Sequence, residues 1–149
     1  MLLHSTRLGD IEVAEEQIFR FPHGLPGFAH EKAFALLPYE PDSPFFLLQS
    51  TTNPDLTFVL VDPFTFFKDY SFELPDEVAQ ELGLSDENPP LIFCIVTVRG
   101  ELAQMTANLK APLVINTQTR TALQLVLDGT SYTMRERLFP PTQTEKGGE

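Results

Sequence analysis

Cys94 is the sole thiol of this 149-residue chain. As a nucleophile it would need a nearby base and an exposed, electropositive setting. Its neighbours are Phe93 and Ile95, inside the apolar run 91–98, which is the setting of a buried, inert thiol; a lone cysteine also forms no internal disulfide. His23, His30 and Glu31 bring together the donor types of a metal site, but in a turn-rich segment, at no ligand spacing that a metal site uses, and with only three donors. They read as surface groups. Asp62, directly before Pro63, could share acid–base work with a second carboxylate, yet an aspartate that ends a strand and opens a turn explains it more simply. A glycine-rich phosphate loop, a zinc-binding cysteine pair and a Gly-x-Ser-x-Gly elbow are all missing from the sequence. The expectation is therefore no enzyme: no catalytic residue, no cofactor and no metal.

The elements that would position any site are short apolar runs rich in Phe, Val, Ile, Leu and Thr, separated by Pro, Gly, Asn or Asp. That pattern predicts an all-β fold with one short helix, a compact antiparallel β-barrel or sandwich-like single domain. Strands are expected at 2–5, 17–21, 33–37, 45–51, 56–61, 91–98, 104–109, 113–116 and 121–127. The runs at 45–48 and 56–61 are apolar on both faces, so these strands are either covered on both sides or leave a sticky second face. The helix lies at 75–82, with Pro75 at its first position, acids in its first turn, Gly83 to end it, and Val78 and Leu82 on one face to dock on the sheet. A second helical turn is expected at 134–138. The domain spans 1–139, and 140–149, with nothing to bury, is expected as a disordered C-terminal tail.

A net charge of −11 argues against direct binding to nucleic acid, and no apolar run approaches the ~18 residues that span a membrane. With no basic start and no long apolar stretch at the N-terminus, the expected location is the cytoplasm. The charge is uneven. Asp62, Asp69, Glu73, Asp76, Glu77, Glu81, Asp86 and Glu87 share one stretch with a single base, Lys68. Such a face solvates the fold, and it would also attract a basic protein. Glu73, Asp76, Glu77 and Glu81 are its candidate contact residues.

The other candidate surface is a turn. In Phe21-Pro22-His23-Gly24-Leu25-Pro26-Gly27-Phe28, prolines and glycines stiffen the chain, and Leu25-Pro26-Gly27-Phe28 reads as a type II turn with Pro26 at the second position and Gly27, at φ > 0, at the third. Gly27 is thus the demanding glycine and Gly24 the less certain one. The turn either packs its aromatics into the core or holds them out for recognition. Asn108 and Asn116 flank Ala111-Pro112, where their amides either close turns or grip a partner's backbone.

The run Thr106-Ala107-Asn108-Leu109-Lys110-Ala111-Pro112-Leu113-Val114-Ile115-Asn116, followed by Tyr132-Thr133-Met134-Arg135-Glu136-Arg137-Leu138, resembles the FliW flagellar assembly factors. The blocks Pro44-Phe45-Phe46-Leu47-Leu48-Gln49-Ser50, Phe58-Val59-Leu60-Val61-Asp62-Pro63 and Phe93-Cys94-Ile95-Val96-Thr97-Val98 stand in that family's order, so the resemblance covers roughly 1–139. It implies a cytoplasmic factor that binds flagellin and antagonises CsrA, an RNA-binding repressor of translation, and so couples flagellin synthesis to flagellar assembly. It places partner contacts at Leu25, Pro26, Phe28, Asn108, Leu109, Pro112 and Asn116, in a protein expected to be monomeric when free. The competing reading is a small-ligand-binding β-barrel with no flagellar role, in which the thirteen Phe side chains line a cavity instead of filling a core.

Overall fold

Strands whose two faces are both apolar need an interior on one side and a cover on the other, and the chain supplies both. The computed structural model describes residues 1–98 and 100–139; the tail expected at 140–149 lies outside the described residues. The strands are β1 (Leu2–Ser5), β2 (Gly9–Glu12), β3 (Ile18–Arg20), β4 (Ala33–Pro38), β5 (Phe45–Ser50), β6 (Thr57–Val61), β7 (Leu91–Thr97), β8 (Thr106–Ala107), β9 (Leu113–Asn116), β10 (Thr121–Gln124) and β11 (Glu136–Arg137). The helices are α1 (Pro63–Phe66) and α2 (Asp76–Leu82).

Seven strands close a barrel in the order β7-β6-β5-β4-β3-β10-β9, with β9 returning to β7. The closure depends on β7, whose first residues Leu91, Ile92 and Phe93 pair with β9 while Val96 and Thr97 pair with β8 on the same edge. All neighbours are antiparallel except β3 and β10, which meet in parallel at a single register pair, Arg20 opposite Thr121. The expected antiparallel barrel thus contains one parallel seam.

The period-2 alternation then sorts the side chains. Phe19, Phe34, Leu48, Leu60, Phe93, Leu113, Ile115 and Ala122 fill the barrel, with Leu36, Phe46, Phe58 and Ile95 packed at its margins. Ring contacts such as Phe46–Phe93 at 4.7 Å and Phe21–Phe34 at 5.4 Å, the latter edge to face, add geometry to that burial. The Phe side chains inside the barrel therefore pack against one another as a core.

The alternate residues face outward and are covered in three places. The β1–β2 hairpin lays Leu3 and Val13 on Ala35. The segment from α1 onward, with the C-terminal stretch, lays Tyr70, Met105, Leu109 and Leu138 over Val61, Cys94 and Val96. Helix α2 lays Leu82, with Val78 beside it, over Val114 and Leu123. Gly83 ends α2 at φ 72°, as the sequence predicts, and Pro75 sits one place earlier than expected, at the N-cap.

Three local expectations are corrected, and two elements are new. The strand expected at 104–109 shrinks to Thr106–Ala107, because a 3-10 turn precedes it and Asn108 leaves the sheet, its Oδ1 accepting from the Ala111 amide at 3.1 Å. The helical turn expected at 134–138 is instead β11. The Glu136 carboxylate accepts from the Thr133 amide at 2.8 Å and tightens the approach, and the Leu138 amide bonds to the Met105 carbonyl at 3.1 Å. Sheet pairing of 121–127 stops at Gln124, although the Leu125 and Leu127 amides still bond to the carbonyls of Pro112 and Lys110. Strand β2 and the one-turn helix α1 carry too little apolar periodicity to be visible in the sequence; α1 forms because Asp62 caps it, its Oδ1 accepting from the Phe64 amide at 3.0 Å.

The turn at 21–28 has the expected type, with the Phe28 amide bonded to the Leu25 carbonyl at 2.7 Å and Gly27 at φ 82°. Gly24 is the tighter position. It also has positive φ, 64°, and a Cβ there would meet the Ala29 backbone at 2.6 Å, whereas a Cβ at Gly27 meets nothing within 4 Å. Gly24→Ala should therefore cost more than the ~1–3 kcal/mol of left-handed strain alone, and Gly27→Ala only about that strain. Urea denaturation of both variants checks the order of the two midpoints.

Candidate partner-binding surface

The turn points its large side chains inward. Phe21 and Leu25 are fully packed into the barrel core, and Phe28 is half-buried with its ring edge-on to Phe58 at 5.8 Å. Pro22, His23, Pro26, Gly27, Ala29 and His30 are what the turn offers to solvent. Of its expected contact residues, the surface therefore holds Pro26 and part of Phe28, while Leu25 closes the end of the barrel.

The 108–116 stretch behaves similarly. Leu109 is 2% exposed beneath Tyr70, whose hydroxyl donates to the Leu109 carbonyl at 2.7 Å. Pro112 is buried and Asn108 half-buried. Asn116 is wholly buried: its Nδ2 donates to the Leu82 carbonyl at the end of α2 at 2.6 Å, and its Oδ1 accepts from the amides of Gln118 and Thr119 at 2.8 and 3.1 Å. One side chain ties α2 to the β9–β10 turn. Leu109 and Asn116 are fastened from within, so a partner reaching this stretch meets Asn108, Lys110 and the loop's outline.

Glu73, Asp76, Glu77 and Glu81 are all exposed, on α2 and the segment leading to it. Glu81 reaches the turn, its Oε2 lying 2.5 Å from His23 Nε2, so the acidic helix and the Pro/Gly turn form neighbouring parts of one surface. That link joins positions 58 residues apart and was invisible to sequence spacing.

The sequence left open whether the second face of 45–48 and 56–61 is covered or bare, and part of it is bare. The outer cover stops short of the middle strands, leaving a groove of about 650 Å³ floored by Phe45, Leu47, Val59 and Val96 and rimmed by Arg7, Tyr39 and Val98. Tyr39 is 54% and Val98 44% exposed. The signal was present in the doubly apolar runs, but which part of their second face stays open is decided by where the β1–β2 hairpin and the α1 segment end.

Cys94 is buried, and burial pushes its thiol up to about 12, so it stays un-ionised; burial likewise raises the Tyr70 phenol. His23 pairs with Glu81, while His30 lies 3.5 Å from Glu31. Among the described residues, no three His, Cys, Asp or Glu side chains come together as a metal would require. Glu31 is instead a buried clasp, its Oε1 accepting from Ser50 Oγ at 2.6 Å and Thr52 Oγ1 at 2.8 Å. Those hydroxyls, Ser50 foremost, hold its carboxyl below the usual range.

The fold is of the class of small, closed β-barrels, here with an outer coat, an open apolar groove and a separate acidic face. The comparisons narrow the class. The family model described as FliW protein matches residues 2–138. The flagellar assembly factor FliW of Desulfitobacterium hafniense (strain DSM 10664 / DCB-2) is 53% identical, with all of both chains covered. That of Geobacillus kaustophilus (strain HTA426) is 46% identical over 89% of this chain and 91% of its own length. A crystal structure of the flagellar assembly factor FliW superimposes with a TM-score of 0.86 at 41% identity, covering 94% of this chain and 98% of its own. The chain belongs to the FliW family of flagellar assembly factors.

Two stability tests follow from these placements. Leu109→Asp puts an unpaired carboxylate into the core and should unfold the domain or cost several kcal/mol, on the order of 3 or more, as read by thermal denaturation. Because the folded Glu31 carboxyl sits below its ordinary value of 4.5, its contribution is present above that pH and fades as pH falls through the lower folded value. Glu31→Gln should thus lower the urea midpoint at pH 7, and the gap to the unmutated protein should narrow below about pH 4.5. A gap independent of pH would remove the carboxylate from the clasp.

Proposed function

We propose that this chain binds flagellin through its apolar groove and a CsrA-like RNA-binding repressor through its acidic face, coupling flagellin synthesis to flagellar assembly. The open outer face of β5, β6 and β7 carries the reading, since an apolar groove left bare beside exposed Tyr39 and Val98 suits an apolar helix or strand from a protein partner. Family membership supplies the flagellar context. The acidic face, with Glu73, Asp76 and Glu77 exposed on α2 and its lead-in segment, suits a basic partner and would repel a phosphate backbone from a complex docked there. Exchange between the partners proceeds in the cytoplasm from a free monomer, and the factor performs no catalysis. No helix among the described residues is long and apolar enough to cross a membrane.

Tyr39→Ala with Val98→Asp should weaken flagellin binding at least tenfold by calorimetry, with an unchanged melting temperature. Glu73→Gln, Asp76→Asn and Glu77→Gln together should slow association of CsrA at low salt and leave flagellin affinity intact; Glu81 is kept because it holds His23. Equal flagellin affinity for the groove variant and the unmutated protein would sink the groove assignment.

A further inference from the structure

Beside the acidic helix, two extended pieces of chain run along a second groove without pairing to each other. It holds about 640 Å³, within the ~300–1,000 Å³ of common ligand clefts, and lies between Phe72, Glu73, Leu74, Pro75 and Asp76 on one side and 125–128 with Thr130 on the other. The Leu125 and Leu127 amides bond inward to the Pro112 and Lys110 carbonyls. By the alternation of an extended chain, the Val126 amide and carbonyl then face the opposite way, and among the described residues they have no partner. Val126 itself is 57% exposed.

The facing wall is bare in the same way. The Ser71 amide bonds to the Tyr132 hydroxyl and the Pro75 carbonyl accepts from Val78 and Ala79, but the amides and carbonyls of Phe72, Glu73 and Leu74 between them bond to nothing among the described residues. Phe72 and Leu74 meanwhile pack against the cores beneath, which fixes this wall in place. The groove is rimmed by Glu73, Asp76 and Asp128, and among the described residues no Lys or Arg lines it.

We propose that this groove receives an extended, basic segment of a partner protein as an added strand, paired by backbone hydrogen bonds to Val126 on one side and to alternate residues of Phe72–Leu74 on the other. Unpaired backbone on an extended edge is a template for strand addition, with affinity from the main chain and selectivity from the side chains. Here the carboxylates select Lys and Arg, and Leu74 and Val126 select apolar residues alternating with them. The inference rests on reading this side as the surface for a basic partner, and it adds the means by which that partner is held.

The test uses the full chain, labelled with 15N, and an acetylated, amidated heptapeptide alternating Lys or Arg with Val. Binding should shift the amide signals of Val126 and of 72–74, and slow hydrogen exchange at Val126 and at alternate residues of 72–74. The same peptide N-methylated at alternate residues loses one row of donors and should bind at least tenfold more weakly, and a Glu-for-Lys/Arg peptide should not bind. If the N-methylated peptide binds equally well while Glu73→Gln, Asp76→Asn and Asp128→Asn together still weaken binding, strand addition is overturned and the basic-partner reading stands. If the charge variant binds as tightly as the unmutated protein, the basic-partner reading fails. No shift at millimolar peptide overturns the groove as a binding site.

Discussion

Burial of both faces of β5, β6 and β7 is the constraint on which the rest of the molecule depends. One face can be satisfied by rolling the sheet into a barrel, which also removes most exposed strand edges. The other then points out of the barrel, and Val61, Cys94 and Val96 would stand in water unless something covered them. The long excursion from α1 to α2, the β1–β2 hairpin and the C-terminal stretch are that cover. Where the cover ends, the uncovered remainder becomes a groove, so the candidate binding surface is the unfinished part of the same packing problem.

Polar side chains fasten the cover to the barrel. Asn116 holds α2 by its last carbonyl, Tyr70 holds the Leu109 loop, and Glu31, Ser50 and Thr52 form a clasp at the β5–β6 turn. Next to it, Gln49 accepts from Ser5 and Thr57 and donates to the Asn53 carbonyl, which ties the β1–β2 hairpin to the barrel. Buried polar groups of this kind are costly unless paired, and here they are paired at the junctions between elements, where direction matters most. The most conspicuous residue types in the sequence, the amides and the Pro/Gly turn, turn out to hold the scaffold rigid beneath the exposed grooves.

The surface left over has two characters. An apolar groove lies over the middle strands, and an acidic face follows α2 and the segment before it, touching the 21–28 turn through His23 and Glu81. An apolar contact and a charge-driven one respond differently to salt and compete only where they overlap.

The sequence by itself determined the class of fold, the position of most strands, the α2 helix with its Gly83 stop, the type II turn with Gly27, and membership of the FliW family. Those features rest on local physics: side-chain period, cap and turn chemistry, and blocks in a recognisable order. Tertiary structure alone decided which residues face outward. Leu25, Leu109 and Asn116 have no local property that separates a buried anchor from a displayed contact, and their burial follows from which distant element, Phe34, Tyr70 or Leu82, arrives beside them. The parallel β3–β10 seam, the split pairing of β7, the His23–Glu81 link and both grooves arise from residues far apart in the chain, and no local pattern encodes where two such segments meet or where a cover stops.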